Sequence, residues 1–498
     1  MECMARVEIR EKLPREKRRQ AVGADAAMGC PPVWTLMQVL LATGGRFLGG
    51  LTETVFRRVS TDTRTVEPGD LFVALVGENF DGHDFIDQAL ARGAAGVVVA
   101  RPPAKPCRVE VVLVPDTLRA LGDLAHYRRK QMADLTVLAV TGSSGKTTVK
   151  EMTSAILGQR HQVLKTKGNF NNLVGLPHSL LPVNEEHYFA VLEMGMNRPG
   201  EIARLAEIAE PDVACITNVQ GAHLAGLATI EGVAKAKGEL FAGMKAWGTL
   251  VVNADDVRVR KLARRLRHRK VSFGRSSSAM VRATRIVSLG EEGMRFTLHI
   301  GNWSARLRIV SLGAHNVMNA LAAAAMAHAV GMAPTEIAAG LASHRPYDKR
   351  MQISVLPSGL KLINDAYNAN PSSMLAALEA VHNLKRQQRI VAVLGDMLEL
   401  GSHSVAAHRQ VGEKAARLAF DYLLAVGEFA GELVAGARQA GMTADQAQQC
   451  ASKEAIVAWL QQAVEAGRLQ AGDILLLKGS RGMRMETIAS GLAGTETR

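Results

Sequence analysis

Residues 136–157 read TVLAVTGSSGKTTVKEMTSAIL and decide the central part of the fold. A short apolar run ends in a glycine-rich turn and a helical pattern follows, which is the sequence form of a strand, a phosphate-binding loop and a helix. Backbone amides at such a helix start bind phosphate oxygens, the Lys146 ammonium reaches the β- and γ-phosphates, and the Thr147 hydroxyl suits magnesium. Val140 stands where the usual motif has its first glycine, and Gly142 supplies the flexible turn instead. The pattern predicts nucleotide binding by Gly142, Ser143, Ser144, Gly145, Lys146, Thr147 and Thr148.

The flanking sequence predicts three α/β domains, as expected for 498 residues. Strand-like and helical stretches alternate over residues 34–134, then over a mostly parallel central domain, residues 135–343. A smaller Rossmann-like domain follows at residues 344–498; it lacks G-x-G-x-x-G, so no dinucleotide is assigned to it. Residues 1–33 are polar, mixed in charge and broken by prolines, which predicts a disordered extension.

Composition places the chain among soluble globular proteins, with 47% hydrophobic and 21% charged residues. No apolar run approaches the roughly 20 residues that span a bilayer, so membrane insertion is not expected. The five cysteines lack metal-site or disulfide spacing, and the N-terminus lacks an apolar secretion signal. These features predict a cytoplasmic protein.

The net charge of +13 is compatible with nucleic acid or with anionic small substrates. The densest basic run, Arg258 to Lys270, is interpreted as a helix that turns Leu262, Ala263 and Leu266 towards a core. A solvated helix face is favoured over a nucleic-acid patch because no aromatic residues interleave for base stacking.

Glu193 ends the predicted strand YFAVLE, at the strand end where ligands bind in open parallel sheets. Its carboxylate is a candidate magnesium ligand, and a surface-loop glutamate is the alternative. His223 and Lys237 are weak candidates alone, since a single histidine or helical lysine is usually structural or solvent-facing.

Several further segments resemble the Mur ligase family and occur in that family's order. The central ones are TGSSGKTT, TKGNFNNLVGLP from Thr166, EMGMNRPGEI from Glu193, TNVQGAHL from Thr217 and KAKGEL from Lys235. Upstream, STDTRTVEPGDLFVAL and FDGHDFIDQALARGA resemble the family's uridine-nucleotide domain. Downstream, GAHNVMNALAAAA, NDAYNANPSSM, LGDMLELG and KGSRGMRME resemble the member that adds D-alanyl-D-alanine. The resemblance covers nearly everything from Trp34 onwards.

The resemblance implies ATP and magnesium as cofactors. Thr147 and Glu193 would hold one magnesium ion; Glu193, His223 and a carbamylated Lys237 would hold a second. Asn319 would meet the adenine, and Arg350 and Asp365 would approach the nucleotide, with an interdomain salt bridge as the alternative. The implied contacts to the uridine nucleotide and its peptide are Ser60, Thr63, Arg64, Asp81, Gly82, His83, Asn169 and Asn172. Those implied for the dipeptide are Asn368, Asn370, Lys478, Ser480 and Arg481.

The sequence itself bears on two of these implied roles, the uridine contact and the dipeptide contact. Thr61-Asp62-Thr63-Arg64 departs from the serine-rich version common in relatives, which affects only fine details of the uridine contact. Arg481 is the preferred partner of the dipeptide carboxylate because a guanidinium binds it through two parallel hydrogen bonds, and pairing with Glu486 is the alternative.

The implied reaction joins D-alanyl-D-alanine to UDP-N-acetylmuramoyl-tripeptide through an acyl phosphate, in bacterial cell-wall synthesis, by an enzyme expected to be a monomer. One alternative is a Mur-like ligase that adds a single amino acid. A P-loop ATPase acting on nucleic acid is another, but the sequence shows no apolar run ending in Asp-Glu and no aromatic-basic groove. The third is a nonenzymatic nucleotide-dependent scaffold. Fold class alone does not separate them.

Overall fold

The computed structural model describes residues 33–49, 53–77, 80–105, 107–221, 224–346 and 349–494. Almost all of the predicted extension, and His223, lie outside the described residues. The chain divides into two compact units, residues 1–121 and 122–498. Helices and mostly parallel strands alternate in both, so the predicted α/β class is confirmed. None of the described helices is long and apolar enough to cross a membrane.

The first unit contains a five-stranded sheet of order β2-β7-β6-β5-β4 and a small antiparallel pair, β1 and β3. Strand β2 runs antiparallel to β7, and the other neighbours are parallel. The strands are β1 (Trp34–Thr35), β2 (Arg46–Phe47), β3 (Val55–Phe56), β4 (Val59–Ser60), β5 (Leu71–Val73), β6 (Gly96–Val99) and β7 (Glu110–Leu113). The helices are α1 (Leu36–Thr43), α2 (Ile86–Ala91) and α3 (Thr117–Gln131), which continues into the second unit.

A nine-stranded sheet of order β16-β15-β14-β13-β12-β11-β8-β10-β9 forms the central part of the second unit. Its strands are β8 (Thr136–Thr141), β9 (Val163–Lys165), β10 (Phe189–Glu193), β11 (Val213–Ile216), β12 (Thr249–Asn253), β13 (Arg269–Gly274), β14 (Val281–Ser288), β15 (Met294–Ile300) and β16 (Trp303–Ile309). Its helices are α4 (Lys146–Leu157), α5 (Gly175–Leu180), α6 (Glu201–Ala209), α7 (Leu224–Leu227), α8 (Ile230–Ala242), α9 (Val257–Arg264), α10 (Ala314–Ala329) and α11 (Pro334–Ser343).

The quoted phosphate-loop stretch folds as predicted: β8 covers TVLAVT and α4 covers KTTVKEMTSAIL. Val149, Met152 and Ile156, at helical spacing, are fully buried against the sheet and the alanine-rich α10. Each such burial contributes roughly 1.5–3 kcal/mol. Helix α4 is thereby held firmly, with its first turn at the end of β8.

The basic segment differs from its prediction. Helix α9 ends at Arg264, and Arg269 already belongs to β13, where Val271 and Phe273 point into the core. The predicted helix up to Lys270 is therefore wrong, because alternating burial from Val271 onwards favours a strand. Within α9 the buried residues are Val259 and Ala263, so of the three predicted core residues only Ala263 is buried.

The third sheet has the order β17-β18-β22-β19-β20-β21, parallel except for β17. Its strands are β17 (Gln352–Val355), β18 (Lys361–Asn364), β19 (Ile390–Gly395), β20 (Tyr422–Val426), β21 (Ala447–Gln449) and β22 (Ile474–Lys478). Helices α12 (Pro371–His382), α13 (Ser404–Arg417), α14 (Ala430–Gln439), α15 (Lys453–Glu465) and α16 (Glu486–Ala493) accompany it. Alternate residues of β19 enter two separate cores, so both faces are covered, as predicted for a Rossmann-like domain.

The topology places the functional strand ends side by side. Strand β8 lies between β10 and β11, with Glu193 opposite Val140 and Ile216 opposite Thr141. The loops that follow these three strands therefore meet at one carboxyl edge, where open α/β sheets bind ligands. The predicted domain limits stay predictions; the boundary between the compact units falls within α3.

Candidate active site

The phosphate loop uses its two glycines for close approach. Gly142 has φ +152°, and a Cβ there would lie 1.8 Å from the Thr217 hydroxyl oxygen. Gly145 has φ +83°, and a Cβ there would lie 2.2 Å from Oδ1 of Asn319. Any side chain at either position would collide with a neighbouring loop or with α10, so the sequence requires glycine at both.

Polar residues after β11 hold the loop in shape. The Ser143 hydroxyl donates to the Gln220 carbonyl at 2.9 Å, and the Ser144 amide donates to Oδ1 of Asn218 at 3.0 Å. The Thr217 hydroxyl donates to the Ser144 carbonyl at 2.6 Å. The loop is therefore preorganised by the scaffold, so that its backbone amides do not have to be ordered by the ligand.

Lys146, the first residue of α4, folds its ammonium back onto the loop and donates to the Gly142 carbonyl at 2.8 Å. Burial lowers the pKa of Lys146, and the charge of Arg350 lowers it further, while the carboxylates of Glu193 and Glu399 oppose the shift. The ammonium thus lies on the phosphate loop with carboxylates and a guanidinium in its surroundings.

Glu193 is buried, with 2% of its surface exposed, so the surface-loop alternative is excluded. Its Oε2 accepts from the Thr147 hydroxyl at 2.9 Å, and its Oε1 accepts from Nδ2 of Asn171 at 2.8 Å. A hydroxyl and a carboxylate held this close are the oxygen ligands that magnesium prefers. Their chemistry fits the implied cation, although the described residues include no cluster of three His, Cys, Asp or Glu side chains.

Lys237 lies on α8 and is 1% exposed. Burial moves its pKa well below the ordinary lysine value, and the charge of Lys146 acts in the same direction. A neutral amine is the form that reacts with carbon dioxide, and the resulting carbamate would offer an oxygen ligand. The environment of Lys237 therefore fits the implied modification.

Arg350 lies in the segment before β17, and Asp365 directly follows β18. Nη2 of Arg350 donates to the Thr147 hydroxyl at 2.9 Å, and its guanidinium lies 3.9 Å from the ring centroid of Tyr367. Asp365 instead accepts from Nζ of Lys478 at 2.5 Å and from the Met351 amide at 3.1 Å. The two residues have different partners, so the salt-bridge alternative between them is not observed among the described residues.

A cavity of about 520 Å³ opens beside the phosphate loop. Asn319 lies on its wall and donates to Oδ1 of Asn316 at 2.9 Å. Other lining residues include Ser144, Gly145, Thr148, His315, Arg350, Asp365 and Lys478. The cavity brings together most of the predicted nucleotide residues and has the size expected of a small-molecule site.

The residues predicted for the dipeptide have mixed positions. Nδ2 of Asn370 donates to the Ser143 carbonyl at 3.1 Å, so this side chain reaches the phosphate loop directly. Lys478 is buried and also donates to the exposed Asn368's carbonyl, at 3.0 Å. Ser480 is buried and accepts from the Leu398 amide at 2.9 Å. Arg481 is 54% exposed and pairs with Glu486 at 3.0 Å, which is the alternative given above.

The loop after β9 carries Asn169 and Asn172, both exposed. Oδ1 of Asn172 accepts from the Gly175 amide at 2.8 Å and so supports the start of α5. The neighbouring Asn171, which was not predicted, is the residue that contacts Glu193.

In the first unit, Asp81 and His83 form a compact polar group. Nε2 of His83 accepts from the Ala100 amide at 2.9 Å, so Nδ1 carries the proton and donates to Asp81 at 2.6 Å. The His83 amide also binds Asp81, and this bond, with Arg101, lowers the Asp81 pKa to about 2 against the effect of burial. Gly82 leaves room for the backbone of Leu75, 2.7 Å from where a Cβ would lie.

The remaining predicted uridine contacts lie at the end of β4 and directly after it. The Ser60 hydroxyl donates to the Asp62 carbonyl at 3.3 Å, and Arg64 forms a two-pronged pair with the Asp62 carboxylate. Thr63 has a long hydrogen bond, 3.5 Å, to Gln88. The Arg64 guanidinium is exposed at this surface while it pairs with Asp62.

Comparison with known families matches three segments of the chain. Residues 55–129 match the Mur ligase family catalytic domain, residues 140–327 the Mur ligase middle domain, and residues 349–481 the Mur ligase glutamate ligase domain. The chain belongs to the Mur ligase family. Its three-domain α/β fold class is thereby confirmed, as is the predicted family.

Among curated relatives, this Mur ligase is 38% identical to UDP-N-acetylmuramoyl-tripeptide–D-alanyl-D-alanine ligase of Bacillus subtilis (strain 168), over 88% of this chain and 94% of the relative. The same enzyme of Escherichia coli (strain K12) is 38% identical, over 92% of this chain and 98% of the relative. Among solved structures, MurF from Acinetobacter baumannii matches with TM-score 0.86 and 36% identity, covering 94% and 100%. MurF from Thermotoga maritima in complex with ADP matches with TM-score 0.78 and 29% identity, covering 88% and 97%.

Several residues of the Mur ligase site were not predicted. Asn171 and Thr166 support Glu193, Tyr367 supports Arg350, and Lys150 lies buried behind the phosphate loop. Asn171, Thr166 and Tyr367 lie inside the family-like segments quoted above, which was the available signal. Lys150 carried no signal in the sequence, because its neighbours three and four positions away on α4 are polar as well.

Proposed function

We propose that this Mur ligase joins D-alanyl-D-alanine to the terminal carboxylate of UDP-N-acetylmuramoyl-tripeptide, with ATP converted to ADP and phosphate. One structural observation carries the choice of member: Asn370, within NDAYNANPSSM, donates to the carbonyl of Ser143 in the phosphate loop. The segment that distinguishes a dipeptide-adding ligase therefore contacts the shared ATP site. The names and near-complete coverage of the relatives support the same choice.

The first step forms an acyl phosphate. An oxygen of the tripeptide carboxylate attacks the γ-phosphorus of ATP, and the bond from that phosphorus to the β–γ bridging oxygen breaks, which releases ADP. Charge spreads over the phosphoryl oxygens, so stabilisation comes from positioned cations. Lys146 supplies one cation on the loop, and Arg350, hydrogen-bonded to Thr147, supplies another from the C-terminal side.

Magnesium, when bound, would neutralise phosphate charge during this step. Thr147 and Glu193 would hold one ion, and Glu193, His223 and carbamylated Lys237 would hold a second. Thr147 and Glu193 are already hydrogen-bonded to each other, and Lys237 is buried with a depressed pKa. The Thermotoga maritima relative was solved in complex with ADP, which supports adenine-nucleotide binding by this chain.

The second step forms the peptide bond. The free amine of D-alanyl-D-alanine attacks the acyl carbon, a C–N bond forms, the C–O bond to phosphate breaks, and the proton that the amine loses ends on the released phosphate. Lys478 is engaged by Asp365 and buried, whereas Arg481 is exposed. We therefore assign the dipeptide carboxylate to Arg481, which would exchange Glu486 for the substrate while Lys349 stays paired with Glu486 at 3.0 Å.

The uridine nucleotide is assigned to the first unit, at Ser60, Thr63, Arg64, Asp81, Gly82 and His83. The Arg64 guanidinium, which is 86% exposed, supports this assignment, because a diphosphate needs a positively charged partner. Asn169 and Asn172 are assigned to the peptide portion of the same substrate. The enzyme is further proposed to act as a cytoplasmic monomer without nucleic acid, which light scattering and a nuclease-treated activity assay test.

A substrate panel tests the function directly. Purified enzyme with ATP, magnesium and UDP-N-acetylmuramoyl-tripeptide is offered D-alanyl-D-alanine, D-alanine, L-alanine or D-glutamate, and products are identified by mass spectrometry. We expect the pentapeptide product with the dipeptide and little or none with the single amino acids. Efficient use of a single amino acid would favour another Mur-like ligase.

A further inference from the structure

Lys150 is a fully buried charged residue to which the chemistry above gives no part. It lies on α4, one turn after Lys146, with 0% of its surface exposed. Its Nζ donates to the carbonyl of Thr166 at 2.7 Å and lies 2.9 Å from Glu151. Taking an ammonium out of water costs several kcal/mol, which only good partners offset. A methionine of similar length would fill the same space without that cost. The role of Lys150 is therefore to be sought in the groups that its ammonium contacts.

Thr166 connects Lys150 with Glu193. Thr166 is fully buried, and its amide donates to the Val191 carbonyl at 3.2 Å, which continues the pairing of β9 with β10. Its hydroxyl accepts from the Glu193 amide at 3.0 Å. Lys150 therefore holds the carbonyl of the same residue whose hydroxyl fixes the backbone of Glu193.

Thr166 also begins the loop that orients the Glu193 carboxylate. Five residues later, Asn171 donates to Oε1 of Glu193 at 2.8 Å and accepts from the Gly195 amide at 2.8 Å. Displacement of Thr166 would thus affect the position of Glu193 in two ways. It would break the hydrogen bond of the Glu193 amide, and it would move the loop that carries Asn171.

We propose that Lys150 is a positioning residue for magnesium binding, which fixes the Glu193 carboxylate through Thr166 and the loop to Asn171. The inference rests on the proposed function in that Glu193 serves as a magnesium ligand. Lys150 contacts Thr166 and Glu151, so its assigned effect on magnesium binding is indirect and acts by limiting the movement of Glu193. Groups behind metal ligands commonly change metal affinity by about 10- to 100-fold when removed.

Neutralisation of Glu151 is the competing role for Lys150, and the chain offers a matched control for it. Lys165 also pairs with Glu151, at 2.5 Å, but its side chain is 45% exposed. Burial raises the pKa of Glu151, and the hydrogen bond from Lys165 and the charge of Lys150 outweigh it, so the net pKa is lowered. Lys165 thus shares the electrostatic task, whereas the Thr166 carbonyl receives its ammonium hydrogen bond from Lys150.

The test measures binding of Mn²⁺ by electron paramagnetic resonance, with the full-length enzyme and a nonhydrolysable ATP analogue. We expect Lys150→Met to weaken Mn²⁺ binding by about 10- to 100-fold, with Lys165→Met close to wild type. Thr166→Val should weaken Mn²⁺ binding too, and the double variant should be no weaker than the worse single variant, because both changes break one connection. Thermal unfolding of each variant accompanies these measurements.

Wild-type Mn²⁺ affinity in folded Lys150→Met would overturn the proposal, and so would equal losses in Lys150→Met and Lys165→Met. If Lys150→Met does not fold, Lys150→Gln and Thr166→Val decide the question by the same readout. The binding measurement needs no dipeptide or uridine substrate. Failure of the proposed ligation reaction would therefore leave this result interpretable, and the two failures are distinguishable.

Discussion

The Thr147 hydroxyl donates to Oε2 of Glu193 at 2.9 Å and so joins the first turn of α4 to the end of β10. The same hydroxyl oxygen accepts from Nη2 of Arg350 at 2.9 Å. One side chain thus links the phosphate loop, a candidate magnesium ligand and the segment leading to the C-terminal sheet. Changes at these residues should affect phosphate chemistry more than folding.

Replacing Lys146 by methionine should lower turnover by about a hundredfold or more, because positioned charge on transferring phosphate oxygens contributes that much. Phosphate release under saturating substrates measures the loss. The melting temperature should stay near wild type, since the hydrogen bond of the Lys146 ammonium goes to a carbonyl of its own loop. Near-normal turnover would contradict the phosphate-loop assignment.

Lys237→Ala should lose most activity and recover part of it when formate or acetate is added, because a small carboxylate can replace the carbamate oxygen. The control is Lys235→Ala, two residues earlier on α8 and exposed. We expect full activity in that control without any effect of carboxylates. An active Lys237→Ala enzyme would show that this lysine is not a metal ligand.

Arg350→Lys should raise the KM for ATP by about tenfold, because lysine keeps the charge but loses the planar group stacked on Tyr367. Tyr367→Leu should have a similar, smaller effect. In the double variant the two losses should not add, since they remove one contact. Fully additive losses would mean that the stacking has no part in nucleotide binding.

Arg481→Ala should raise the KM for D-alanyl-D-alanine by about 10- to 100-fold, the value of charge-assisted hydrogen bonds to a carboxylate. The KM values for ATP and the uridine substrate should stay unchanged. Lys349→Ala removes the other partner of Glu486 and serves as the control. Unchanged dipeptide kinetics in Arg481→Ala would leave its pairing with Glu486 as its whole role.

Stability should fall with acid partly through His344. Burial of the ring, with Lys165 and Arg345 nearby and Glu151 opposing, lowers its pKa from 6.5 to about 4; its Nε2 is buried without a hydrogen bond in the described structure. The unfolded chain therefore takes up a proton first, and stability present above the unfolded pKa is lost as pH falls towards the folded one. Between about pH 7 and about pH 5 this amounts to about 2 kcal/mol.

The variant His344→Leu isolates that contribution. Its melting temperature should fall less than that of wild type over the same pH range, because leucine cannot take up the proton. Parallel acid curves for the two proteins would show that His344 does not titrate in this window.

Sequence periodicity predicted the elements around the site well, because β8 and α4 each follow a single uninterrupted pattern. The limits of the basic segment were wrong, since Arg269 and Lys270 are polar on a strand whose buried positions begin only at Val271. Long-range partners were harder still. Lys150 and Thr166 are 16 residues apart, and no local pattern indicates that their atoms meet.

The roles of the site residues also differed in how far the sequence alone could predict them. The loop residues were predictable because phosphate binding constrains adjacent positions, and Glu193 was a candidate from its place at a strand end. Lys237 and Arg350 were assigned from family resemblance. Their burial and partners could be obtained only from the fold. Asn171, rather than Asn169 or Asn172, contacts Glu193 because loop conformation decides which of three asparagines points inward.

The central claim is that conversion of ATP to ADP and phosphate is coupled to joining the two peptide substrates. Phosphate release by purified enzyme, with ATP, magnesium, UDP-N-acetylmuramoyl-tripeptide and D-alanyl-D-alanine each omitted in turn, tests it most directly. We expect one phosphate for each pentapeptide formed with all components present, and little release when any one is omitted. Equal ATP turnover without the peptide substrates, or ATP binding with no turnover under any condition, would contradict it.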